Sequence, residues 1–167
     1  MNPVRMVSLP AFTVLGRKTW ISGQDNALFG RFRQQSQAGG LLDRLQRIRQ
    51  QADMSTTGGT LLGISQVEAD PSKRAFYYMI AVEPALGFST DSPDAQDLEP
   101  YIVPAAQWAV FDCTGPLPDA LAAVEMYAFL EWLPASGFRH APAPEMEVYP
   151  PEQGEQTCAF WLPVESG

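Results

Sequence analysis

Apolar and polar positions along this chain fall into two stretches with the same order of elements. Residues 4–18, VRMVSLPAFTVLGRK, read as a strand interrupted at Leu9-Pro10, because proline brings no donor to a sheet ladder. Behind Asp25, a capping residue, Leu28, Phe29 and Phe32 predict a helix over 25–37 that Gly39-Gly40 ends. A second short helix is expected over 41–51, with Leu41, Leu42, Leu45 and Ile48 inward and Arg44 and Arg47 outward. A loop at 53–60 precedes two strands, 61–68 and 75–83, joined by the turn ADPSKR. Residues 85–99 hold Ser, Asp, Pro and Gly without a period and read as a linker.

After the linker the order begins again. Residues 100–113 are strand-like with a kink at Pro104. Residues 118–133 predict a strong helix: Pro118 and Asp119 start it, Leu117, Leu121, Val124 and Ala128 run down one side, and Pro134 stops it. ASGFRHAPAP reads as a loop with His140 exposed, and strands follow at 145–150 and 156–164. LPAFTVLGR at 9–17 and VPAAQWAVF at 103–111 begin their halves alike. The fold class expected is therefore α+β, a tandem β-α-β-β repeat of about 80 residues per half. The halves are 1–84 and 100–167, with 85–99 between them. Each half alone is a small sheet with open edges. Paired about a pseudo-twofold axis, the halves share one antiparallel sheet, and the two main helices flank a central cleft. Such junctions are common ligand sites.

Composition narrows the function. Among 167 residues, 46% are hydrophobic, enough for a core, and no apolar run of signal-peptide or membrane-spanning length follows Met1. A cytoplasmic setting without a membrane partner is the expectation. Net charge is −8: residues 1–50 balance at +6 and the rest at −14, which disfavours direct nucleic-acid binding. Cys113 and Cys158 form no metal or disulfide framework and read as buried, reduced thiols. With one histidine, His140, no metal centre and no cofactor are expected, and Ser-His-Asp or Cys-His catalysis has no support.

One stretch carries candidate chemistry. In PEMEVYPP, residues 144–151, alternation puts Glu145, Glu147 and Tyr149 on one face and Met146 and Val148 on the other. A carboxylate beside a tyrosine in mid-strand means either a face in water or a negative charge held in a pocket.

Pro104, Trp108 and Gly115, the helix end Trp132-Leu133-Pro134, Ser136-Gly137-Phe138, the Glu-x-Tyr of Glu147 and Tyr149, and Trp161-Leu162-Pro163-Val164 together form an ordered pattern. It resembles the gyrase-inhibitor-like small-molecule-binding superfamily, which is also the effector-binding domain of AraC-type regulators. PAFTVLGRKTW and FYYMIAVE extend the likeness, more loosely, to the first half. The resemblance implies SHS2-like halves around a cleft, with Glu147 inside it meeting cationic, aromatic or amphipathic ligands. No added DNA-binding module is expected beside the two halves.

Candidate ligand contacts are Glu147, Tyr149, Trp108, Tyr78, Trp132 and Trp161, with Trp20 and Phe29 as covers of the mouth. Core placement is the alternative for each aromatic. Tyr77 and Tyr78 are adjacent, so only one can enter the cleft, and Tyr78 is favoured. Three functions compete. The first is a stand-alone binding protein of multidrug type. The second is a hydrolase of strained electrophiles in which Glu147 activates water. The third is a gyrase-inhibitor-like modulator whose acidic surface addresses a protein partner.

Overall fold

The computed structural model describes residues 4–21, 39–49, 56, 61–67, 76–85, 87–89, 91–113, 119–149 and 158–167. The helix expected over 25–37, with Phe29, and the turn at 69–74 lie outside the described residues. Among the described residues nine strands form one antiparallel sheet: β1 (Arg5–Leu9), β2 (Phe12–Ile21), β3 (Leu61–Gln66), β4 (Phe76–Val82), β5 (Glu99–Val103), β6 (Ala106–Asp112), β7 (Phe138–His140), β8 (Glu145–Tyr149) and β9 (Ala159–Ser166). Two helices are described, α1 (Leu41–Ile48) and α2 (Asp119–Tyr127), and α2 continues to Ser136.

The spatial order is β1-β6-β9-β8-β3-β4-β2-β5, with β7 also on β9. The interruptions at Pro10 and Pro104 have a topological consequence that alternation did not reveal. Each divides an expected strand in two, and the first piece crosses to the other end of the sheet. β1 pairs with β6, and β5 pairs with β2. In a flat sheet β1 and β2 would stand six spacings of about 4.8 Å apart, roughly 29 Å. The step from Leu9 to Phe12 spans at most about 11 Å. The sheet must therefore curl, bringing its ends together.

The curl encloses one face. Leu62, Ile64, Met79, Trp108, Val110 and Met146 pack there and are fully buried. The opposite, convex face carries the helices. Leu41, Leu45 and Ile48, one stripe of α1, pack with Leu15, Tyr78, Ile80 and Val82. Leu121, Val124 and Ala128 of α2 pack with Phe111, Tyr149, Phe160 and Leu162. Between these clusters runs a strip of sheet formed by the neighbouring strands β3 and β8.

Arg44 and Arg47 face outward, as expected, and also hold a neighbouring segment. Arg44 donates to the carbonyl oxygens of Asp94 and Gln96, and the Arg47 guanidinium meets Asp94 Oδ1 at 2.8 Å. They fasten the short 3-10 turn Pro93–Ala95, within the expected linker, to α1. Pro134 does not end the second helix. The turn Ala128–Trp132 is wide, with Leu133 N–H reaching Ala128 O five residues back. That local widening accommodates a ring which has no N–H to offer. The helix ends instead at Gly137, whose φ of 81° suits a residue without Cβ. Finally, the segment read as an exposed loop contains β7. His140 sits in it with a side chain 11% exposed and its Nε2 2.9 Å from Glu145 Oε2.

Candidate ligand site between the helices

Residues directly opposite one another in a ladder share a face of the sheet. Glu147 stands opposite Gly63 on β3 and Phe160 on β9, and Phe160 stands opposite Phe111 on β6. All four lie on the convex face, under the helices. Tyr78 of β4 reaches the same strip across Gly63. It is 1% exposed, and its Oη donates to Glu147 Oε2 at 2.5 Å. That is the length of a short, charge-assisted O–H···O bond. Glu147 itself is half-buried.

Gly63 makes this contact sterically feasible. A Cβ built on it would overlap both the Tyr78 hydroxyl and the Glu147 carboxylate. Gly63→Ala is therefore expected to break the pair and to lower stability by about 1–3 kcal/mol, the scale of overpacking. Thermal unfolding and ligand titration of this variant check the expectation, and an unchanged Tyr78–Glu147 contact in its crystal structure would contradict it.

A second carboxylate faces the strip from α2. Glu125 lies four residues after Leu121 and three before Ala128, inside the buried stripe of the helix. Burial holds its carboxyl far above the usual range, at about 8, and the negative fields of Glu147, Glu145 and Cys113 add to the effect. Glu125, Glu145, Glu147 and the Tyr78 hydroxyl thus form an acidic cluster on one face. Glu125 was not singled out from the sequence, although a carboxylate within an apolar helical stripe is a legible signal. Gly63, Phe160 and Phe111 were missed because only strand pairing brings them beside Glu147.

The proposed aromatics divide by face. Tyr149 is buried on the Glu147 side against the α2 cluster. Trp132 stands over Phe111 at 5.3 Å between ring centroids and stacks on Phe138. Trp108 and Trp161 are on the other face. Trp108 opposes Val7 and Pro163, Trp161 opposes Met146 and Val110, and their rings meet edge-to-face at 6.2 Å. Trp108 is fully buried. Trp161 lies one residue from Phe160 and Trp108 three from Phe111, odd steps that turn both away from Glu147, so the expectation that they line its pocket is corrected. Trp20 opposes Tyr77, not Tyr78, and is 52% exposed. It too lies on the other face and does not cover Glu147. A shallow depression of 190 Å³ on that face is lined by Lys18, Gln66, Met79, Glu99, Pro100 and Tyr101. It is smaller than the usual small-molecule site and remote from the acidic cluster.

A family model of the GyrI-like small-molecule-binding domain matches residues 2–165. The chain belongs to this GyrI-like family. Among solved structures, SAV2435 bound to tetraphenylphosphonium resembles this GyrI-like domain with a TM-score of 0.77 and 20% sequence identity, over 98% of this chain and 94% of that one. The C-terminal domain of EcmrR matches with a TM-score of 0.61 and 10% identity, over 99% of this chain and 98% of that one. A hydrolase from Listeria innocua matches with a TM-score of 0.54 and 12% identity, over 97% and 91%. Identities this low speak for the fold. No curated protein matches the sequence. No helix among the described residues is long and apolar enough to cross a membrane.

Proposed function

We propose that this GyrI-like domain binds cationic, aromatic or amphipathic small molecules on the strip between α1 and α2. Glu147 supplies the counter-charge, Tyr78 positions it, Glu125 adds a second carboxyl, and Tyr149 and Trp132 supply ring surface. The Tyr78–Glu147 contact between two apolar clusters carries the reading. A carboxylate partly withdrawn from water is costly, and a cation entering the strip offsets that cost. Ring faces near the cation add about 0.5–2 kcal/mol per contact. The similarity to a structure that holds tetraphenylphosphonium, a cation wrapped in four phenyl rings, supports the same ligand class. The setting proposed is the cytoplasm, where unbridged thiols such as Cys113 and Cys158 persist. Titration with tetraphenylphosphonium, followed by calorimetry, tests the proposal. Saturable one-to-one binding is expected, and none below about 1 mM would end the reading.

Glu125 favours one alternative. A carboxyl that keeps its proton near neutrality and faces a second carboxyl is an arrangement that can set a general acid beside a general base. We propose hydrolysis of strained electrophiles as the second reading, with Glu147 activating water and Glu125 supplying a proton. The similarity to a Listeria innocua hydrolase is compatible with it. An activated cyclopropane should then gain one water on incubation, and Glu147→Gln should abolish the reaction. Recovery of intact substrate after prolonged incubation counts against catalysis and leaves binding as the function.

A further inference from the structure

Cys113 touches the site as described only through its field on Glu125 and Cys158 not at all, yet the two are placed as a pair. Cys113 follows β6 and Cys158 precedes β9. The β6–β9 register runs on from Asp112 opposite Ala159, so the two cysteines face one another across the ladder. Cys113 N–H donates to Cys158 O at 3.0 Å, and the two Sγ atoms are 3.2 Å apart. Directly opposed antiparallel residues have Cα atoms about 4.5–5.5 Å apart, inside the range a disulfide spans. An S–S bond of about 2.05 Å then needs the sulfurs to approach by only about 1 Å, which side-chain rotation supplies.

We propose that Cys113 and Cys158 are a redox modification site, an internal dithiol that a hydroperoxide-class oxidant closes to a disulfide across the β6–β9 ladder. The Cys113 sulfur attacks one peroxide oxygen and the O–O bond breaks. This gives a sulfenic acid at Cys113 and releases water, or an alcohol from an organic peroxide. The Cys158 sulfur then attacks the Cys113 sulfur, the S–O bond breaks, the S–S bond forms and water leaves. Two thiols lose two hydrogens, and the peroxide is reduced by two electrons. Cys158 Sγ donates to Cys113 Sγ, which holds the Cys113 thiol below its ordinary range against the opposing effects of burial and of Glu147 and Asp112. That favours Cys113 as the attacking sulfur. The bridge would tie together the two ends of a 45-residue separation that contains α2, β7 and β8, and with them Glu125 and Glu147. This inference stands independently of what the acidic cluster binds.

The test uses the full chain, reduced and then exposed to hydrogen peroxide, with peptide mapping under non-reducing conditions. The expected result is one intramolecular Cys113–Cys158 link, two hydrogens lighter and reversed by dithiothreitol. The oxidised protein should melt roughly 5 °C or more above the reduced form, because the bridge restricts the unfolded chain. Cys113→Ser and Cys158→Ser should show no such rise. Thiols that alkylate fully after peroxide treatment, oxidation only to sulfinic or sulfonic acid, or links only between molecules would each overturn the proposal. If neither serine variant folds, the wild-type peptide map decides alone.

Discussion

Glu147→Gln lowers affinity for tetraphenylphosphonium by roughly 10- to 100-fold, the loss expected when a partly buried charge partner is removed from a cation. Glutamine keeps the size of the side chain, and its carbonyl can still accept from the Tyr78 hydroxyl. The fold should therefore survive, with a thermal midpoint near that of the wild type. Tyr78→Phe keeps the ring but removes the 2.5 Å hydrogen bond that orients the carboxylate. It should cost only a few-fold in affinity, because water can replace one donor at a half-buried group. The pair of variants separates charge from orientation. Equal affinity for wild type and Glu147→Gln, measured by calorimetry on folded protein, would remove Glu147 from the site. If tetraphenylphosphonium also failed to bind the wild type, the ligand class would be at fault instead.

Affinity for the same cation should rise with pH through about 8, the region in which Glu125 loses its proton. Tetraphenylphosphonium has no titrating group, so the slope reports the protein. Below that region Glu125 is a neutral acid, and above it the strip holds another negative charge. Each unit by which the bound cation lowers that carboxyl's pKa corresponds to about tenfold in affinity. The groups facing it are Glu147 and Glu145 of β8 and Cys113 after β6. Stability should move the opposite way. Glu125 is raised from 4.5 to about 8 in the folded chain, so the folded state holds its proton more tightly than the unfolded state does. The stability this contributes is fully present below the unfolded value and is lost as pH rises through the folded one. Between pH 5 and 8.5 the thermal midpoint of the wild type should therefore fall relative to Glu125→Gln, which also flattens the affinity profile. Parallel profiles for the two proteins would show that Glu125 does not titrate there.

Much of this was written into the local pattern. The apolar spacing of Leu41, Leu45 and Ile48 predicted α1 and its buried stripe. Tyr77 and Tyr78, as neighbours in a strand, had to face opposite ways, and Tyr78 is the one that meets Glu147. What alternation within one strand cannot supply is phase relative to another strand. Trp108 and Trp161 were grouped with Glu147, although the register sets them on the enclosed face. The same gap hid Gly63, whose missing side chain matters only because Tyr78 and Glu147 converge above it.

By itself the sequence determined the α+β class, the repeated order of elements, the breaks at Pro10 and Pro104, and the carboxylate set among apolar residues in β8. These follow from periodicity, proline stereochemistry and residue type, all of which act over a few neighbours. The tertiary structure alone decided that β1 and β5 cross to the opposite ends, that the sheet curls around Trp108 and Trp161, and that Tyr78 and Glu147 meet between the helices within the electrostatic reach of Glu125. Those outcomes depend on which distant strands pair and in what register, because a shift of one residue turns every side chain to the other face.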